Sequence, residues 1–191
     1  AELLGGEISG DLGLRNAGFI VDLDLSTLNL GAATLLRKFL PLEMSAQLDG
    51  KIQINFDAEN SQKADGVVRL GILKFNSAPQ SLAGFNLPKI GISESKIDIG
   101  IADGKIAIRT FQIGKDVKTD DLVARISGDG KVEPIFDRSR INAKAVFELS
   151  PAVIQSFPLL DALLGSAKGP DGKYIYRLSG TLLAPEAIPG N

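Results

Sequence analysis

Asp22-x-Asp24 and Asp120-Asp121 are the tight carboxylate pairs of this chain. Paired carboxylates are the least equipment that general acid–base work or the holding of a hard cation requires. A glycan hydrolase needs only two such groups facing each other across a cleft. Neither pair here stands in a motif that builds a cleft. Asp22 and Asp24 alternate with Val21, Leu23 and Leu25, so both fall on the outward face of a strand, where solvated charge discourages edge pairing. Asp120-Asp121 follows Lys115, Lys118 and Thr119 in a polar loop and reads as solvated too. The alternative at either pair is a weak oxygen-ligand cation site. The sequence contains no histidine and no cysteine. Their absence excludes Ser-His-Asp triads, Cys-His dyads, zinc sites built on imidazole or thiolate, and disulfide frameworks. The expectation is a chain that is not an enzyme, with no catalytic residue, no metal and no cofactor.

Other chemical readings weaken in the same way. Gly5-Gly6 and Gly128-Asp129-Gly130-Lys131 lack the spacing of a phosphate-binding loop and a following helix. The recurring Asp-Gly pairs lack the carboxylate spacing and terminal Glu of a calcium-binding EF-hand. Net charge is −2, with no Trp and two Tyr, so neither a basic field nor a stacking platform speaks for nucleic acid. Lys89 and Lys96 read as ordinary edge lysines as readily as a membrane-facing edge, and Arg37 and Lys38 suit a helix C-terminus.

The elements that must position these residues are strands. Val21, Leu23 and Leu25 alternate with polar neighbours; so do Ile52, Ile54 and Phe56, then Ile97, Ile99 and Ile101, then Ile106 and Ile108, then Leu122, Ala124 and Ile126. Period two with one polar side implies antiparallel strands with one apolar face. Asp-Gly occurs at 49–50, 65–66, 103–104, 129–130 and 171–172, the dipeptide that suits a type I′ hairpin turn. Hairpins are expected at 103–104 and 129–130, between strands at 95–102, 105–114, 121–128 and 131–136. Two segments read as helix: Ala32–Phe39, stopped by Pro41, and Pro151–Leu164, with Ser150 as N-cap, Pro151 in the first turn and Pro158 splitting it.

Both helices fall inside a weak repeat, about 18–57 and 141–183. Leu25-Ser26, Leu35-Leu36 and Asp49-Gly50-Lys51 in the first copy correspond to Leu149-Ser150, Leu159-Leu160 and Asp171-Gly172-Lys173 in the second. Each copy reads as a strand ending at Leu-Ser, a short amphipathic helix, and a turn that launches the next strand. The expected fold is therefore mainly β (α+β): a single domain over 1–191 with a curved antiparallel sheet of about ten strands and two short helices.

This pattern resembles the AsmA-like repeat proteins of the bacterial envelope. Glu7-Ile8-Ser9-Gly10-Asp11-Leu12 is similar to their Gly-rich opening strands, and Ser95–Ile113 and Tyr174–Leu182 are similar to their later ones. Within that group the chain is most similar to the periplasmic part of the N component of type II secretion (GspN-type). The resemblance implies an accessory role in protein secretion, with secretion-machinery proteins as partners. It alternatively implies a lipid-binding or lipid-guiding module with an apolar β groove. It also implies a periplasmic location and an inner-membrane anchor. No run of the chain is apolar over the length of a membrane helix, and it opens at Ala1 without a signal pattern, so the anchor is expected upstream.

Two helices cannot cover a ten-stranded sheet, so an open apolar strip is expected at Ile97, Ile99, Ile106, Ile108 and Ile126. The Ser77–Pro88 segment, read as a long loop carrying Leu82, Phe85 and Leu87, either joins that interaction surface or folds back to cap the sheet end.

Overall fold

The computed structural model describes residues 2–3, 5–15, 17–32, 43–82, 85–157 and 159–190. Its strands are β1 (Glu2–Leu3), β2 (Gly6–Arg15), β3 (Gly18–Asn29), β4 (Met44–Asp57), β5 (Asp65–Ser77), β6 (Gln80–Leu82), β7 (Phe85–Leu87), β8 (Ile90–Ala102), β9 (Lys105–Ile113), β10 (Leu122–Lys131), β11 (Arg140–Leu149), β12 (Tyr174–Gly180) and β13 (Pro185–Pro189). Eleven of them form one open sheet in the order β1-β2-β3-β4-β5-β8-β9-β10-β11-β12-β13, and every pairing is antiparallel. The mainly β, antiparallel reading of the alternation therefore holds. Among the described residues β6 and β7 pair with each other and with no other strand.

Three bulges bend the sheet. One extra residue enters β3 near Thr27, β5 near Lys74 and β9 near Arg109, and Thr27 and Lys74 take positive φ (54° and 53°). Such insertions sharpen local twist and curl.

Several turn assignments need correction. Asp103-Gly104 is the two-residue hairpin expected, with φ of 50° and 70°. Asp129-Gly130 is no turn: both residues lie inside β10 and pair with Asn142 and Ile141. The strand expected at 131–136 is absent, and Phe136–Arg138 is a 3-10 turn. Gly130 serves space instead, since a Cβ there would meet the Arg140 carbonyl oxygen at 2.9 Å and the Ile106 side chain at 3.2 Å. Asp49-Gly50 and Asp65-Gly66 also lie within strands. Asp49 Oδ1 accepts the N–H of Thr27 at 2.8 Å, satisfying a donor that the β3 bulge sets free. Asp171-Gly172 precedes β12 as the repeat expects, whereas Asp49-Gly50 does not launch β4 but lies inside it. The first-copy strand runs past Ser26 to Asn29.

The second predicted helix exists as two, α1 (Pro151–Ser156) and α2 (Leu160–Leu164), on either side of Pro158. Ser150 Oγ accepts the Val153 N–H at 3.3 Å, as an N-cap does. The helix expected at Ala32–Phe39 lies outside the described residues apart from Ala32, which ends a 3-10 turn. The segment read as a long loop at Ser77–Pro88 contains the β6–β7 hairpin. The side chains of Leu82, Phe85 and Leu87 lie outside the described part.

Candidate functional site

Because antiparallel partners share a face, the strand registers generate the apolar surface row by row. One row runs Leu12, Val21, Ile54, Gly66, Ile101, Ile106. The next runs Gly10, Leu23, Ile52, Val68, Ile99, Ile108, and a third runs Leu25, Gly50, Leu70, Ile97, Phe111. Ile126 joins the same face opposite Ala145. The structure thus brings Ile97, Ile99, Ile106, Ile108 and Ile126 onto one continuous surface. Each of the five is half-buried, neither sealed as core nor free as an isolated surface residue.

Buried side chains gather at the two ends of the sheet. At the end of the sheet carrying α1 and α2 these are Ile92, Val153, Leu160, Ala167 and Tyr174, with Tyr174 stacked on Phe147 at 5.1 Å between ring centroids. At the opposite end, Val132, Ala64, Ser61 and Ser139 are buried. There Ser61 Oγ donates to the carbonyl oxygens of Glu133 (3.0 Å) and Pro134 (2.9 Å), and the Val132 N–H donates to Gly104 O (2.8 Å). The Phe136 ring stands edge-on to Phe56 at 6.0 Å, and Phe56 stacks on Phe19 at 5.1 Å. In a flat sheet the four strand steps from β4 to β10 would span roughly 19 Å. The contact closes because the sheet curls around its apolar face and the 132–139 connection arches across. The result is an apolar trough, bordered at one end by Phe19, Phe56 and Phe136. The alternation that marked Phe56 as apolar carried no sign of Phe136, which sits in a turn and reaches the site only through the curl.

The opposite face is charged and internally matched. Lys51 Nζ lies 3.4 Å from Asp22 and 3.5 Å from Asp24, and Asp98 takes Arg69 and Arg109, each at 3.5 Å. Glu94 takes Lys96 at 3.0 Å and also Lys115. A hydrogen bond from Gln53 Nε2 (2.9 Å), aided by Lys51, holds Asp22 below the usual carboxylate range. Lys96 therefore has an intramolecular partner, and Lys89 is simply exposed. A shallow hollow of ≈ 610 Å³ over Gly71 is walled by Lys51, Arg69, Lys96 and Asp98.

Asp120 departs from the expectation of a solvated loop. It is 1% exposed. Its carboxylate accepts the backbone N–H groups of Ser93 (2.5 Å), Lys115 (2.8 Å) and Asp116 (3.3 Å) and the Thr119 hydroxyl (3.3 Å). Burial alone would raise its pKa; the converging donors outweigh that and bring it down to about 2. Asp121 accepts the Gly91 N–H (2.7 Å) and the Ser150 hydroxyl (2.9 Å). The pair ties β8, the β9–β10 connection and the start of α1 together. Its oxygens are occupied by donors of the chain itself, the work of a structural clasp.

Among the described residues no three acidic side chains converge as a metal site would require, and no helix is long and apolar enough to cross a membrane. No family model, curated protein or solved structure matches the chain.

Proposed function

We propose that this protein is a non-catalytic component of the bacterial envelope, an accessory part of type II protein secretion that works in the periplasm by holding an apolar partner against its curved sheet. The observation that carries the binding part of this reading is the half-exposed trough of Ile97, Ile99, Ile106, Ile108 and Ile126. Contiguous apolar surface of this kind on a folded chain usually marks an interface. The secretion role rests on the resemblance of the Glu7–Leu12, Ser95–Ile113 and Tyr174–Leu182 segments to AsmA-like proteins of the GspN type.

The aromatic border of one trough end favours a second reading, in which the occupant is an acyl chain rather than a protein segment. An apolar trough bordered at one end by aromatic rings suits a flexible tail, which gains from burial along its length. Native mass spectrometry after gentle purification separates the two readings: a retained mass of lipid size supports the acyl chain. The double substitution Ile99→Asp and Ile108→Asp is expected to abolish binding of lipid or protein partner while circular dichroism keeps its β signature. Unimpaired binding by this variant would refute the trough as the site. Collapse of the fold would show the two residues to be core.

A further inference from the structure

The charge matching of the polar face holds across β3, β4, β5 and β8 and stops beyond them. There, one row of side chains reads Asp24, Lys51, Arg69, Asp98. Its two cations stand side by side, but a carboxylate brackets them at each end, 3.5 Å from Lys51 and 3.5 Å from Arg69. A second row on the same face reads Ala102, Lys105, Lys131, Arg140, Thr181, crossing β8, β9, β10 and β11 to the residue after β12. It sets three cations directly opposite one another, and the bracketing positions hold a methyl group and a hydroxyl. Like charges in direct cross-strand register repel. Glu133 takes Lys131 at 2.7 Å. Lys105 and Arg140 are exposed, and neither is in an ion pair among the described residues.

A hollow of ≈ 510 Å³ opens at this row, walled by Asp129, Lys131, Arg140, Asn142, Ser179 and Thr181. The Asn142 amide and the Ser179 hydroxyl make no hydrogen bond among the described residues. Thr181 Oγ1 accepts the Ala184 N–H at 3.1 Å, which leaves its own O–H to donate. We propose that the hollow binds a phosphate monoester, held by Arg140 and Lys131 and by the hydroxyls of Ser179 and Thr181. Two unanswered cations call for an anion of charge near −2; a phosphate monoester carries about −1.5 to −2 at neutral pH, a carboxylate only half of that. The guanidinium fork of Arg140 can meet two phosphate oxygens at once, and the third is left for the hydroxyl donors. Such a group supplies from outside the negative charge that Asp24 and Asp98 supply within the balanced row. Asp129 stands in the same wall and opposes the ligand's charge, so it tempers the affinity. The site lies on the face away from the trough and does not depend on what the trough holds.

Amide chemical shifts of the chain, followed while glycerophosphate is added, should saturate with the largest changes at Lys131, Arg140 and Thr181. Arg140→Gln is expected to raise the dissociation constant at least about 10-fold. Arg140→Lys keeps the charge without the fork and should fall between. Asp129→Asn should tighten binding. Lys51→Gln removes the same charge from the balanced row and should change the constant by less than about 2-fold, because screening isolates it. All four positions are exposed, so each variant should keep the wild-type melting temperature. Vesicles of phosphatidylcholine with and without phosphatidate identify the source of the phosphate. Saturation by glycerophosphate assigns a free ester; binding to phosphatidate vesicles alone, lost in Arg140→Gln, assigns a lipid headgroup. No saturable binding to either probe, or equal losses in Arg140→Gln and Lys51→Gln, would overturn the proposal. So would polyglutamate binding in preference to both probes, which would give the row to an acidic protein partner.

Discussion

The ends of the strands and their middles use the same residues for opposite purposes. Asp120-Asp121 and Asp22-x-Asp24 look alike as carboxylate pairs, as do Asp103-Gly104 and Asp129-Gly130 as dipeptides. At the strand ends, Asp120 gathers three backbone N–H groups that no ladder satisfies, and Asp103-Gly104 reverses the chain with positive φ. Within the paired ladder, Asp22 and Asp24 lie against Lys51 on the solvated face, and Gly130 makes room for the neighbouring strand. The lesson is that a motif takes its meaning from the backbone groups left unpaired around it. Where the ladder is complete, a carboxylate has only side chains and water to answer.

The largest expected contrast lies between the two carboxylate pairs. Asp120→Ala leaves several donors without their acceptor beneath a packed connection and should lower unfolding free energy by about 3 kcal/mol. Asp22→Ala, measured by the same urea titration, should leave the midpoint close to wild type. Equal losses would break the distinction between end and middle.

The two glycines test that distinction on the backbone. Gly104→Val should cost about 1–3 kcal/mol, because a β-branched residue resists φ of 70°. Lys105→Val beside it should cost little. Gly104→Asn should retain most of the stability, since Asn visits the left-handed region. Gly130→Asn should not, because its difficulty is the carbonyl of Arg140 rather than a dihedral angle. Thermal melts ranking both Asn variants alike would show that one cause serves both sites.

Acid sharpens the comparison next. The Asp120 carboxyl titrates at about 2 in the folded chain against a usual 3.8, so its contribution is complete above about pH 4 and disappears as pH falls through 2. Between those limits the wild type should lose on the order of 1–2 kcal/mol that Asp120→Asn has already forfeited. The two stability curves should therefore converge on acidification. Parallel curves would remove Asp120 as the cause. Smallest of all is Asp22→Asn: the exposed cluster with Lys51 and Gln53 should show no resolvable change in melting temperature at 0.15 M salt, where surface pairs are screened.

Much of the molecule follows from local pattern. The period of two in Val21–Leu25, Ile52–Phe56, Ile97–Ile101 and Ile106–Ile108 determined strands, antiparallel pairing and one apolar face, because strand geometry sends alternate side chains to opposite sides whatever surrounds them. The same holds for Ser150-Pro151 opening a helix and Asp103-Gly104 turning a hairpin, since their partners lie within a few residues. The site residues Ile97, Ile99, Ile106, Ile108 and Ile126 were legible as one surface for that reason. Three things were decided only by the tertiary structure. Asp120 became a buried clasp because β8 and the β9–β10 connection brought N–H groups from Ser93 and from Lys115 and Asp116 to one point. Asp129-Gly130 became part of β10 because Asn142 and Ile141 offered a ladder that outcompeted a turn. Phe136 borders the trough because the curl of the sheet brings the connection after β10 against β4. In each case the deciding partner lies at least 12 residues away along part of its contact set, and alternation records which face a residue takes but not how sharply that face bends.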